Sequence, residues 1–135
     1  MPSLNPSADQ LKRFAEQMPA GEPIVMLNLL RFNADAVYPA GSGEQPCSGK
    51  EAYARYSRTA LLKVRTAGGA VESMAQARVA LIAPDQESWD EVLLVRYPSP
   101  QAFLTMLSDA EYQAAAVHRT AALADSRLIA CTPRS

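Results

Sequence analysis

Apolar residues recur along the chain with two periods, and the switches between them mark the elements. Pro2 and Pro6 stand in an opening loop; Ser7 then precedes ADQLKRFAEQM, where Leu11, Phe14, Ala15 and Met18 share one side of a helix that Ser7 can cap. Pro19 and Gly21 stop it. PIVMLNLLRF follows, a short run rich in Ile, Val and Leu and apolar on both alternating faces, as expected of a central strand covered on both sides. Asn28 is the polar side chain such a strand would bury. Residues 33–49, NADAVYPAGSGEQPCSG, have no period and read as a long loop, a kind that in compact domains is often functional or disordered.

Over residues 50–66, Tyr53, Tyr56, Ala60, Leu61 and Val64 form one helical stripe, ended by Gly68 and Gly69. Residues 70–84, AVESMAQARVALIAP, predict a long semi-polar strand, and WDEVLLVRYP a third strand apolar on both faces. Ser99 can cap a helix in PQAFLTMLS; a fourth helical piece spans 109–124, and SRLIACT closes as a strand. Without the first helix the order is βα-ββ-αβ. That is an α+β, ferredoxin-like pattern: a four-stranded antiparallel sheet with helices on one face. Residues 1–135 are expected to form one domain, with 1–22 as a helical extension. Helices can cover only one face of two-faced apolar strands, so the other face must meet something. A homodimer closing two sheets face to face, a dimeric α/β barrel, is the economical answer.

Composition narrows the function classes. Thirteen basic and fourteen acidic residues nearly cancel, and no run of like charge suggests a nucleic-acid arm or membrane patch. Neither nucleic acid nor membrane is expected as a partner. Cys47 and Cys131 are far apart and the chain holds one histidine, so no metal site and no disulfide framework is expected, which fits a reducing cytoplasm. Neither cysteine has a local basic partner, so neither is expected as a nucleophile.

The candidate chemistry lies in SDAEYQAAAVHRTAAL. At about 100° per residue, Tyr112 and Arg119 superpose on one helical face, and Glu111 and His118 on a neighbouring one. Adjacent residues diverge, so His118 and Arg119 are not a side-by-side pair. A phenol and a guanidinium one above the other can hold a carboxylate or enolate oxygen; the plain alternative is that Arg119 ties down a nearby carboxylate and Tyr112 fills a gap. His118 could serve as general base or be a partly exposed helix residue. Ala110, Ala114, Val117 and Ala121 form an apolar stripe expected to pack on the sheet. On the first strand Asn28 shares a face with Ile24, Met26, Leu30 and Phe32, so it either lines a pocket or is satisfied locally. Tyr53 and Tyr56 have core packing as their default role, although either hydroxyl could reach a ligand.

VMLNLLRF, YP followed by SGKEAYARY, AGGAV, and WDEVLLVRYPSPQAFLTMLSDAEYQAAAVHRTAALADSRLI together resemble the bacterial domain-of-unknown-function family 1330, in the dimeric α/β barrel superfamily. The likeness spans about residues 23–131 and includes Tyr112 and Arg119. It implies a ferredoxin-like subunit that dimerises through its sheet, and no particular reaction. Related barrels include cofactor-free monooxygenases, haem-degrading monooxygenases and lactone isomerases. Asn28, Trp89 and His118 resemble the Asn, Trp and His of the haem-degrading barrels, but Trp89 and His118 lie farther apart here, so haem is not expected.

Two functional readings follow. In the first, a small-molecule pocket holds Asn28 and Tyr56 as substrate-binding groups, Tyr112 and Arg119 bind an anionic oxygen, and His118 moves a proton, with no cofactor. The second is a non-catalytic ligand-binding or structural dimer module.

Overall fold

The computed structural model describes residues 1–134. Eight elements follow in the order α1 (Ala8–Gln17), β1 (Ile24–Phe32), α2 (Gly49–Thr66), β2 (Ala70–Gln76), β3 (Glu91–Tyr97), α3 (Pro100–Leu107), α4 (Ala110–Ala122) and β4 (Leu123–Cys131). The strands form one antiparallel sheet in the order β2-β3-β1-β4, the ferredoxin-like arrangement.

The helices begin where capping side chains satisfy their first free amides. Ser7 accepts from the Gln10 amide while the Gln10 side chain reaches back to Ser7, a complete capping box. Ser48, Ser99 and Asp109 cap α2, α3 and α4 by accepting from the amides of Glu51, Ala102 and Tyr112, and Pro100 stands in the first turn of α3, where its missing amide costs nothing.

Alternation then sorts the strands. Ile24, Met26 and Leu30 of β1 and Leu93, Val95 and Tyr97 of β3 are buried toward α2, α3 and α4. On the opposite face Leu94, Leu27 and Ile129 form one row across β3, β1 and β4, flanked by Val25, Leu29 and Val92. These are only half-buried, and Ile129 is 49% exposed. No helix covers this face.

Three local features depart from the sequence pattern. The second strand ends at Gln76, not near residue 84. Its last ladder bond runs from the Ala77 amide to the Asp90 carbonyl, and the Asp90 amide turns instead to Leu30 on β1. Beyond that point β3 offers no partner, so residues 77–90 leave the sheet as an arm with Val79, Leu81 and Ile82 exposed at 83%, 90% and 95%. The apolar stripe expected of α4 is also rotated: Ala110, Ala114 and Val117 are exposed, and Tyr112, Ala115, Ala121 and Ala122 are buried. The 33–49 loop is ordered by an Asp35–Ser48 bridge and by amides of Asn33 and Val37 that donate to Ala122 and Ala121.

Candidate functional site

A cavity of about 740 Å³ lies between the sheet and the helices. Its floor is β1, β3 and β4, one wall is α2 and α4, and residues 3–18 close another side. Met26, Leu93, Val95, Phe103 and Met106 make most of it apolar, and the polar groups gather near Arg119.

Tyr112 and Arg119 lie two turns apart on the inner face of α4, as their spacing dictates, and both line the cavity. Tyr56 of α2 meets Tyr112 hydroxyl to hydroxyl at 2.7 Å, with the rings edge to face. Tyr53, one helical turn earlier, packs on Tyr56 and Phe32, and its hydroxyl has no hydrogen-bond partner among the described residues. No polar side-chain atom is buried without a partner among them, so that hydroxyl opens to the cavity. Asn28, at the centre of β1, also lines the cavity; its Nδ2 donates to the Met26 carbonyl at 3.2 Å, which leaves the amide oxygen free. Arg119 donates to the carbonyl of Leu4 and, at 3.4 Å, to the Ser126 hydroxyl. The carboxylate partner that the alternative reading gives Arg119 is absent among the described residues.

Burial governs the phenols. It pushes the Tyr53 hydroxyl up to about 12, against an opposing pull from the Arg119 charge. Tyr56 and Tyr97 are likewise held well above their ordinary value, burial first and neighbouring phenols second. All three remain protonated at neutral pH: Tyr97 donates to Met106 Sδ, Tyr56 shares one hydrogen bond with Tyr112, and Tyr53 keeps its donor free. An anionic oxygen between Arg119 and the Tyr53 hydroxyl would meet a donor on each side.

His118 does not join this group. It faces outward, where Tyr38 from the 33–49 loop meets its Nδ1 at 2.7 Å and Glu44 lies 3.9 Å from its Nε2. Arg55 of α2 completes the cluster, donating to the Tyr38 hydroxyl at 3.2 Å and lying 3.6 Å from Glu44. Glu111, expected beside His118, instead pairs with Lys63 at 3.1 Å. The helical angle separates His118 from Arg119, and the loop supplies the partners that His118 lacks on its own helix. The expectation that His118 shares the pocket of Tyr112 and Arg119 is therefore corrected: four of the five candidate residues, Asn28, Tyr56, Tyr112 and Arg119, line one cavity, and the fifth does not.

Sequence reasoning passed over two contributors. Ser126 is buried at the cavity edge, where it donates to the Ser3 carbonyl. Residues 3–18, within the 1–22 extension, also line the cavity, and the Leu11, Phe14 and Met18 stripe is the signal that this helix must cover something. Among the described residues no group of three or more His, Cys, Asp or Glu could hold a metal ion, and no helix is long and apolar enough to cross a membrane.

No family model matches the chain, and no curated protein matches it. Solved structures do. The methylated RPA0582 protein is 38% identical, with 99% of this chain and 96% of that chain covered and a TM-score of 0.91. The RPA0582 protein of unknown function from Rhodopseudomonas palustris is 37% identical, over 100% of this chain and 99% of that one, again with a TM-score of 0.91. A hypothetical Arabidopsis thaliana protein shares the fold alone, at 12% identity and a TM-score of 0.50 over 90% of this chain and 96% of that one. At this identity over almost its whole length, the chain belongs to the same family as the Rhodopseudomonas palustris RPA0582 protein of unknown function.

Proposed function

We propose that the protein is a small-molecule-binding subunit that pairs with a second copy of itself through the open sheet face. Its ligand is a small anion with an apolar, aromatic or keto-acid body. The observation that carries this reading is the convergence of Arg119 and Tyr53, each with a donor to spare, beside Asn28 in an otherwise apolar cavity of about 740 Å³. That volume is in the range of sites for small organic ligands, which use a few placed polar groups to orient an apolar body. The Leu94–Leu27–Ile129 row supports the pairing, since an apolar face of this kind is stable in water only when covered. Assignment to domain-of-unknown-function family 1330 and to the dimeric barrels belongs with this reading.

The geometry favours binding over proton transfer. Tyr53, Tyr56 and Tyr97 hold their protons, and His118 sits outside the cavity against Tyr38. A cofactor-free enzyme acting on an anion would need a base carried by the substrate or by the second subunit.

The test uses the fluorescence of 1-anilinonaphthalene-8-sulfonate and of uncharged N-phenyl-1-naphthylamine, which lacks the sulfonate. Arg119→Gln should weaken the anionic probe about tenfold, a loss of about 1.4 kcal/mol, and leave the neutral probe within about twofold. A lowered melting temperature with both affinities unchanged would mean that these polar residues only complete the fold, and the structural-module reading would stand instead.

A further inference from the structure

Residues 3–18 lie over the cavity, packed on the core by Leu4, Phe14 and Met18, all of them only partly buried. No residue of α1 is buried, and Leu11, Phe14 and Met18 are half-buried over the cavity, with Phe14 against Phe103 at 5.4 Å. The segment is fixed mainly at its two ends. At one end the Ser3 amide donates to Asp125 Oδ1 at 2.8 Å, and the Ser3 and Leu4 carbonyls accept from Ser126 and Arg119. At the other, the Gly21 amide donates to Gln101 at 3.2 Å, beside a left-handed turn at Gly21 with φ of 75°.

The first of these ends coincides with the anion seat. Arg119 carries a full charge, yet its partners are a neutral carbonyl and a neutral hydroxyl, and no carboxylate among the described residues lies within ion-pair distance. A guanidinium bonds an anionic oxygen more strongly than a neutral one, and can hold it with two parallel N–H donors. The Leu4 carbonyl on Arg119, beside the Ser3 carbonyl on Ser126, thus marks where an oxygen of a carboxylate or sulfonate would sit.

We infer that residues 3–18 form a displaceable plug, whose Ser3 and Leu4 carbonyls occupy the anion seat until an anionic ligand replaces them and lifts the segment away. The inference rests on the cavity being the ligand site. It makes the observed affinity for an anion the difference between binding at Arg119 and releasing the plug, so loosening the plug tightens binding. A fixed wall would behave in the opposite way, because loosening it would remove contacts from the ligand.

Hydrogen exchange on the whole protein, with and without saturating 1-anilinonaphthalene-8-sulfonate, separates the two. The plug requires faster exchange over residues 3–18 in the bound state. It also requires that Ser7→Ala and Gln101→Ala, which loosen the segment from outside the cavity, tighten the probe by about threefold to fivefold. Slower or unchanged exchange, or weaker binding by both variants, overturns the plug and leaves the pocket standing. Absence of any probe binding to the unaltered protein overturns the pocket and the plug together. The exchange measurement needs no variant, so a variant that folds poorly leaves the inference open to refutation.

Discussion

The Tyr56–Tyr112 hydroxyl pair offers a stability experiment whose sign pattern is specific. Both residues are 8% exposed, and each hydroxyl is the other's side-chain partner at 2.7 Å. Tyr56→Phe removes one hydroxyl and strands the other in a largely apolar setting, which costs about 1–3 kcal/mol; Tyr112→Phe does the same from the other side. In the double variant no polar group is left stranded and the rings keep their shape, so the cost should return to within about 1 kcal/mol of the parent. The expected coupling is therefore about 2 kcal/mol, with the double variant more stable than the sum of the singles. Urea unfolding of the four proteins reads it directly, and each single variant should melt lower by about 4 °C per kcal/mol. Additive losses, with the double variant about 3 kcal/mol down, would refute the claim that the hydroxyls satisfy one another. Two neutral single variants would refute it differently, by showing that cavity water replaces the missing partner.

Three further outcomes are expected. Gly49→Ala should unfold the protein or lower its stability by at least about 3 kcal/mol in urea, because the new Cβ would stand 2.1 Å from the Asn33 carbonyl and 2.6 Å from that of Ala122, both backbone. Burial pushes the Asp125 carboxyl up, but bonds from the Ser3 and Ser126 amides and from Arg127 outweigh it and hold the group below its ordinary value. Its contribution is thus present above about pH 4 and lost as pH falls through the depressed value, so Asp125→Asn should flatten the acid limb of a stability-pH profile; an unchanged limb would refute this. Leu94→Glu, at the centre of the open face opposite Leu27, should convert a dimer to a monomer in light scattering while the circular dichroism spectrum stays the same; a monomeric parent would end the dimer proposal.

The fold was legible because its signals are local. The Ile24–Phe32 and Glu91–Tyr97 runs announce strands, and Ser7 and Ser99 announce helix starts. The Tyr112 and Arg119 pairing was legible for the same reason, since seven residues is two turns in any helix. What lay beyond the sequence was the identity of the surface opposite each face. Helical geometry separates His118 from Arg119, but a loop without periodicity gives no hint that Tyr38 and Glu44 come to meet it. Likewise the end of β2 depends on where its neighbour stops pairing, which AVESMAQARVALIAP does not encode.

The pairing of β1 with β4 also bears on how the molecule is made. Ser3 and Asp125 meet although 122 positions separate them, and β4 carries Ser126 into the cavity wall. During synthesis the early helices can form behind the ribosome, but the nascent chain has neither its fourth strand nor the partners of Ser3 until residues 123–131 have emerged. Until then the cavity lacks the strand that carries Ser126, and the Ser3–Leu4 segment has no Asp125 to hold it beside Arg119.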